Sequence, residues 1–168
     1  EVWTPSAFCA TALSPGATVP VHVVAHILPK PDATSPHQAL PGIDFHVITT
    51  GDVRSSLTRK NLSGAINAFR KAFGNDPGTR LSVRIGHATP KEIAEFQKSF
   101  AECDNIQLVT ELFDDARESA FIESADVVLS PHRAEGFGLV LAKAMLLGRP
   151  VIATDWSGNT EFMTAENA

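Results

Sequence analysis

The fold of this chain is decided by one stretch, DVVLSPHRAEGFGLVLAKAMLLGRPVIAT, which runs from residue 126 to residue 154. Residues 126–130 form a short apolar run that is typical of a buried strand. A nearly all-apolar helix is predicted over 138–147, because Gly148 is a residue type that commonly ends a helix. A second strand, 151–154, follows. A strand, a helix and a strand with short connections predict two parallel strands joined by a crossover helix.

The same alternation continues towards the N-terminus. Two β-branched runs, Val19–Val24 and Phe45–Thr50, are predicted to be strands covered on both faces. Residues 29–42, rich in Pro and Ser, are predicted to be a surface loop. The pattern therefore predicts an α/β fold, a Rossmann-like three-layer sandwich with a mostly parallel sheet. The other predicted elements are a helix from Asn61, a strand at 81–85, a helix that begins after Thr89, a strand at 105–112 and a helix from Asp114 to Ser124.

Length and composition bound the function. The chain has 168 residues, 43% of them hydrophobic, which suits one globular domain. Its 14 Lys and Arg against 19 Asp and Glu give a net charge of −5, which argues against a nucleic-acid partner. Cys9 and Cys103 lie far apart without metal-ligand spacing, so we expect free thiols and a cytoplasmic, reducing compartment.

In a parallel sheet of this kind, ligands bind beyond the carboxyl ends of the strands. The loop after Ser130 is one such place, and it contains Glu135, Gly136 and Gly138. The glycines leave the first amides of the next helix free to bind an anion or a hydroxyl group. Glu135 either accepts hydrogen bonds from sugar hydroxyls or is only an acidic residue at a helix start, and both interpretations stay open on the residues alone.

A combined pattern in this region consists of residues 135–139, Ala144-Met145, Gly148, 150–154, Gly158 and Glu161, with 124–131 as the lead-in strand. This pattern resembles the signature of family 4 retaining glycosyltransferases, which are nucleotide-sugar enzymes of the GT-B fold. The resemblance implies that Glu135 sits at the donor sugar as the catalytic carboxylate, and that no metal or other cofactor is needed. It also implies donor-binding roles for Gly136, Phe137, Gly138, Leu139 and Glu161.

Lys143 departs from that signature, in which a second Glu accepts hydrogen bonds from the ribose hydroxyls. An ammonium group only donates hydrogen bonds and cannot replace that carboxylate. Three interpretations stay open. Lys143 extends outwards along an apolar helix, or it reaches the diphosphate as a further cation, or the protein has lost normal donor affinity.

The loop after Thr50 has three cations, Arg54, Arg59 and Lys60, within seven residues. Taken alone, it would be read as a solvated basic turn. The resemblance implies instead that Arg54 and Lys60 bind the donor diphosphate, with Arg59 as a substitute for Arg54. His132, near Glu135, either lines the site or makes a structural hydrogen bond.

The resemblance therefore predicts that residues 1–168 are the C-terminal, donor-binding domain of a GT-B enzyme. Its N-terminal acceptor domain would be absent, and its own C-terminal end truncated. The full-length enzyme would move a hexose from a UDP- or GDP-linked donor to a glycan or lipid-linked acceptor, as in polysaccharide biosynthesis. The fragment alone would be inactive. The missing N-terminal domain would be the partner of this domain, and through it the whole enzyme would associate peripherally with the membrane.

Two alternatives share the fold class. One is a nucleotide-binding domain without transferase activity, which the presence of Lys143 in place of the second Glu would indicate. The other is a flavodoxin-like signalling or scaffold domain. That function requires a carboxylate cluster after the first strand and a phosphorylatable Asp after a central one, and Asp52 meets only half of this requirement.

Overall fold

The structure is a computed structural model that describes residues 1–29 and 37–168. Within these residues the strands are β1 (Val2–Thr4), β2 (Val21–Val23), β3 (Phe45–Asp52), β4 (Thr79–Gly86), β5 (Ile106–Val109), β6 (Val127–Ser130) and β7 (Val151–Ala153). The α-helices are α1 (Ala7–Leu13), α2 (Leu57–Lys60), α3 (Leu62–Phe73), α4 (Pro90–Lys98), α5 (Asp115–Glu123) and α6 (Leu139–Leu146).

Five strands form one parallel sheet in the order β5-β4-β3-β6-β7. Apolar side chains cover both of its faces, as the continuous hydrophobic runs predict. Leu62, Ile66 and Phe69 of α3 pack on one face, together with Leu81 of β4. Residues of α5 and α6 pack on the other face, around Ile48 of β3. The predicted three-layer, Rossmann-like α/β fold is therefore confirmed.

The predicted position of the Val19–Val24 strand is wrong in one respect. Only Val21–Val23 is a strand, and it pairs with β1 in a separate two-stranded parallel sheet. It is therefore not covered on both faces, and Val23 and Val24 are about half exposed. A β-branched run favours extended backbone, but it does not specify which strand becomes its neighbour.

Local signals set the helix boundaries. Thr89 and Glu92 form a capping box at the start of α4, and Asp114 accepts a hydrogen bond from the third residue of α5. Gly148 follows α6 with φ +70°, a conformation that suits glycine. Of the predicted surface loop 29–42, residues 30–36 lie outside the described residues.

The topology creates a crevice at one edge of the sheet. From β3 the chain adds β4 and β5 on one side, and it then returns to place β6 and β7 on the other side of β3. The connections after β3 and β6 therefore lead to helices on opposite faces, and they part at the carboxyl ends of these neighbouring strands. No helix in the described residues is long and apolar enough to cross a membrane.

Candidate functional site

A cleft of about 310 Å³ lies at this crevice, between the loop after β3 and the loop after β6. It includes the end of β4 and the first turn of α6. Both predicted loops contribute to it, although they are distant in sequence. The predicted site residues that line the cleft are Arg59, Lys60, Glu135, Gly136, Phe137, Gly138 and Leu139.

The carboxylate of Glu135 is buried between two cations from the opposite loop. Its Oε2 lies 3.1 Å from Nη1 of Arg59, and its Oε1 accepts a hydrogen bond from Nζ of Lys60. Burial alone would raise the pKa of Glu135, but the Lys60 ammonium and the Arg59 guanidinium more than offset this and hold that pKa below its ordinary value. Glu135 is therefore a charged, paired carboxylate.

The two loops are further joined by hydrogen bonds to backbone carbonyl oxygens. The Arg59 side chain donates through Nη1 to the carbonyl oxygen of Ala134 at 2.5 Å, and the backbone carbonyl oxygen of Arg59 accepts from the amide of Arg133 at 2.8 Å. The Asn61 side chain donates to the carbonyl oxygen of Pro131 at 2.7 Å. These contacts fix Arg59 and Lys60 opposite Glu135.

The N-terminus of α6 opens into the same cleft. Gly138 has φ +94°, which is favourable only for glycine, and no side chain within the described residues caps this helix end. The first amides of an α-helix have no acceptor within the helix, so those at the start of α6 are available to a bound anion. Gly138, Leu139 and Val140 at this helix end line the cleft together with Lys60, and anion binding by their amides stays a prediction.

A third loop, after β7, holds the glycine-rich segment in place. Ser157 accepts a hydrogen bond from the amide of Glu135 at 2.8 Å, and the amide of Gly158 donates to the carbonyl oxygen of Glu135 at 2.9 Å. A Cβ atom on Gly158 would lie 2.0 Å from the carbonyl oxygen of Gly136. Only glycine fits at position 158, because the two backbones touch there.

Four predicted site residues lie outside the cleft lining, namely Arg54, His132, Glu161 and Lys143. The Arg54 side chain is 68% exposed, with its Nε 3.6 Å from Asp52. His132 is 1% exposed, and its two ring nitrogens contact Ser130 and the loop after β7, which favours the structural interpretation. Glu161 accepts a hydrogen bond from the amide of Ala7 at 2.7 Å, at the start of α1.

Lys143 lies one turn into α6, beside a second cavity. Its Nζ is 3.0 Å from a carboxylate oxygen of Glu118 on α5 and 3.3 Å from the carbonyl oxygen of Asp115. This cavity, of about 560 Å³, shares Leu139 and Val140 with the cleft, and its walls are mostly apolar. The Lys143 ammonium group thus contacts α5 beside this second cavity. The structure does not show it extended into the cleft where the diphosphate was expected to bind.

Sequence reasoning missed Arg84 as a charged residue of the cleft, and it considered Asp52 only for the flavodoxin-like alternative. Asp52 pairs with the Nδ1 atom of His87 at 2.7 Å and accepts from the amide of Arg54. The pKa of Asp52 is lowered: burial would raise it, but these partners outweigh burial. Arg84 could have been found from the alternation in residues 80–85. The odd positions are apolar and the even positions are polar, so the polar side chains share the opposite face of the strand.

Comparison with known proteins gives the family. The family model described as "Family 4 Glycosyltransferase in conflict systems" matches residues 9–168. The chain belongs to this family. The resemblance noted in the sequence is thereby confirmed.

Two curated proteins are also similar to the chain. Residues of the chain are 33% identical to trehalose synthase of Pyrococcus horikoshii over 100 residues, which is 55% of this chain and 24% of that protein. They are 30% identical to phosphatidyl-myo-inositol mannosyltransferase of Mycolicibacterium smegmatis over 98 residues, which is 58% of this chain and 24% of that protein. Each match therefore spans about a quarter of the curated relative.

Solved structures share the fold at low sequence identity. TarM of S. aureus is 15% identical, with a TM-score of 0.74 over all of this chain and 32% of its own. The pneumococcal O-GlcNAc transferase GtfA is 21% identical, with a TM-score of 0.65 over 95% of this chain and 30% of its own. These likenesses support the predicted Rossmann-like domain of the GT-B type.

Proposed function

We propose that this family 4 glycosyltransferase chain is the donor-binding domain of a retaining hexosyltransferase, and that its cleft binds the diphosphate of a UDP- or GDP-linked sugar. One observation carries the proposal. Arg59 and Lys60 pair with a single buried carboxylate, Glu135, in a cleft that the uncapped start of α6 also lines. Cations and free amides around one small cleft are what a diphosphate requires.

The site would act on the leaving group. In the transfer, the bond between the anomeric carbon and the diphosphate oxygen breaks, and a bond to an acceptor hydroxyl oxygen forms on the same face. The hydroxyl proton leaves with the diphosphate. Negative charge grows on the diphosphate as its bond breaks, so Lys60, Arg59 and the α6 amides would stabilise the transition state more than the ground state.

Glu135 would have two roles in succession. Without ligand, its carboxylate neutralises Arg59 and Lys60 and stabilises both loops. When a diphosphate takes over those cations, the carboxylate becomes available to accept hydrogen bonds from sugar hydroxyls, which is the role that the family resemblance implies. Charge neutralisation by side chains also agrees with the prediction that no metal is required, and that prediction stays untested.

The nucleoside would occupy the cavity beside Lys143. This cavity adjoins the cleft at Leu139 and Val140, and its apolar walls suit a base. Glu118, held by Lys143, brings a carboxylate to this cavity and would accept hydrogen bonds from the ribose hydroxyls. An N-terminal acceptor domain, a glycan or lipid-linked acceptor, and a peripheral membrane location of the whole enzyme belong to the same proposal.

Ligand binding by the 168-residue chain tests the proposal. Thermal unfolding is measured with UDP, GDP and ADP at millimolar concentration, and calorimetry follows for the nucleotide that stabilises most. Lys60→Ala should weaken binding by roughly 10-fold to 150-fold, because a hydrogen bond to a charged group contributes about 1.5–3 kcal/mol. Lys98→Ala, a change in an exposed lysine of α4, is the control and should leave binding unchanged.

Two results would contradict the proposal. One is the absence of stabilisation by all three nucleotides. The other is equal nucleotide affinity in the Lys60→Ala and Lys98→Ala variants, which would place the phosphates elsewhere. Binding without sugar transfer, after the chain is joined to its acceptor domain, would favour the alternative of a nucleotide-binding domain.

A further inference from the structure

One charged side chain of the cleft has no part in the ion pairs described above. Arg84 lies near the end of β4, where its register partner on β3 is Thr50. Leu81, Val83 and Ile85 of the same strand face the core on the α3 side. Successive side chains of a strand point to opposite faces, so Arg84 lies on the α5–α6 side and lines the cleft next to α6.

Among the residues that the structure describes, the guanidinium of Arg84 has no carboxylate partner. Among the described residues it forms no ion pair, and its buried Nε has no hydrogen-bond partner. Its main contact is with the ring of Phe113, whose centroid lies 4.4 Å from the central carbon of the guanidinium. An aromatic ring orients a guanidinium by a cation–π interaction but supplies no acceptor for its N–H groups.

The other charges of the cleft are already occupied. Arg59 and Lys60 are both bound to Glu135. The remaining lining carboxylate, Asp52, pairs with His87. Of the described residues that line the cleft, Arg84 is therefore the cation that an incoming anion can bind without first displacing a protein carboxylate.

We propose that Arg84 is a further binding residue of this cleft, which binds oxygen atoms of the ligand's diphosphate, and that Phe113 positions its guanidinium. The planar fork of an arginine fits two phosphate oxygens at once. The identity of the ligand as a nucleotide rests on the proposed function. The binding of a diphosphate group by Arg84 does not depend on it.

The same strand provides a matched control. Arg80 precedes Arg84 by four residues, so it lies on the same face of β4, and its Nε is likewise buried without a hydrogen-bond partner. It is paired in register with His46, at the opposite end of the sheet, and it does not line the cleft. A general effect of removing a half-buried arginine from β4 would be seen in both variants.

The experiment measures the affinity of the chain for inorganic pyrophosphate, UMP and UDP by calorimetry. Arg84→Met should weaken pyrophosphate and UDP at least about tenfold and UMP much less, while Arg80→Met stays within about twofold of the unmodified chain. Phe113→Leu should weaken pyrophosphate in the same direction but less. In the absence of ligand, Arg84→Met should leave the unfolding temperature unchanged or raise it, because it removes an uncompensated charge.

The inference is overturned if Arg84→Met binds pyrophosphate as the unmodified chain does, or if both arginine variants lose affinity equally. It is also overturned if Arg84→Met affects UMP as much as UDP, since the guanidinium would then bind the nucleoside or its nearest phosphate. Pyrophosphate binding that depends on Arg84, with no binding of UDP, GDP or ADP, would support Arg84 as an anion ligand and contradict the proposed nucleotide function.

Discussion

Replacement of Glu135 by Gln should have opposite effects on stability and on diphosphate binding. Gln has the shape of Glu but no charge, so this change removes the anion between Arg59 and Lys60 and little else. The Glu135 side chain is 8% exposed, against 16% for Lys60 and 30% for Arg59. The variant therefore leaves two largely enclosed cations facing each other across the cleft.

The size of the stability loss follows from this geometry. A hydrogen bond to a charged group contributes about 1.5–3 kcal/mol, and removing one member of a fully buried ion pair costs more. Because Arg59 keeps access to water, we expect the free energy of unfolding to fall by about 2 kcal/mol. For a chain of 168 residues this lowers the unfolding temperature by roughly 4–8 °C.

Affinity for inorganic pyrophosphate should rise by about tenfold in the same variant, or about 1.4 kcal/mol. The reason is that pyrophosphate no longer competes with a carboxylate for Arg59 and Lys60. Calorimetry measures the affinity, and thermal unfolding with and without pyrophosphate measures the stability. Glu118→Gln is the control, because it breaks the ion pair with Lys143 outside the cleft and should leave pyrophosphate affinity unchanged.

The pH dependence of stability gives a second measurement of the same ion pair. The pKa of Glu135 in the folded chain is below its ordinary value of 4.5, so the unfolded state binds the proton more readily. The stabilisation is thus complete above about pH 4.5 and is lost as the pH falls through the folded pKa. The Gln variant should lack this part of the acid dependence. Unchanged stability together with weaker pyrophosphate binding would refute the reasoning.

Three further changes test other parts of the structure. Gly158→Ala should destabilise the chain by about 3 kcal/mol, since its new Cβ would overlap a backbone oxygen of the loop after β6. Gly16→Ala is the control: a Cβ atom there would meet no atom within 4 Å, so the unfolding temperature should not change. Lys143→Glu should lower the unfolding temperature, because it places a second carboxylate beside Glu118. The double variant Lys143→Glu with Glu118→Lys restores an ion pair and should recover the unfolding temperature. Equal stability of the single and the double variant would argue against the ion pair. Burial holds the pKa of His46 below 6.5 in the folded chain, so the unfolded state takes up the proton first and the chain loses stability on acidification. In His46→Gln, this loss of stability between about pH 7 and about pH 5 should be smaller. Urea unfolding at the two pH values measures the difference.

Strands, helices and the glycine-rich loop could be predicted because their signals are local. The helix α6 has its boundaries in Gly138 and Gly148, and α4 begins with a capping box at Thr89. The two loops of the cleft also follow from the order of elements, since ligand sites in such sheets lie beyond the carboxyl ends of the strands.

The partners of individual side chains could not be predicted in the same way. Arg54 and Arg59 are both cations of one loop, and a short 3-10 turn at Val53–Ser55 followed by α2 determines that only Arg59 lines the cleft. Lys143 pairs with Glu118, 25 residues earlier in the chain, and that contact exists only after α5 and α6 pack together. The alternation of β4 places Arg84 on the face opposite Leu81, Val83 and Ile85, but its contact with Phe113, beyond β5, exists only in the folded chain.

The glycine-rich loop after β6 is held by residues from both ends of the chain. Ser6 donates a hydrogen bond to Gly136 across 130 residues of sequence, and Glu161 contacts Ala7 across 154 residues. During synthesis, Ser6 leaves the ribosome before Gly136, the residue that accepts its hydrogen bond. The loop after β7 emerges after both. The cleft therefore cannot reach its final shape before residues 157–161 have been made, and ligand binding by a nascent chain would report the completion of this part of the fold.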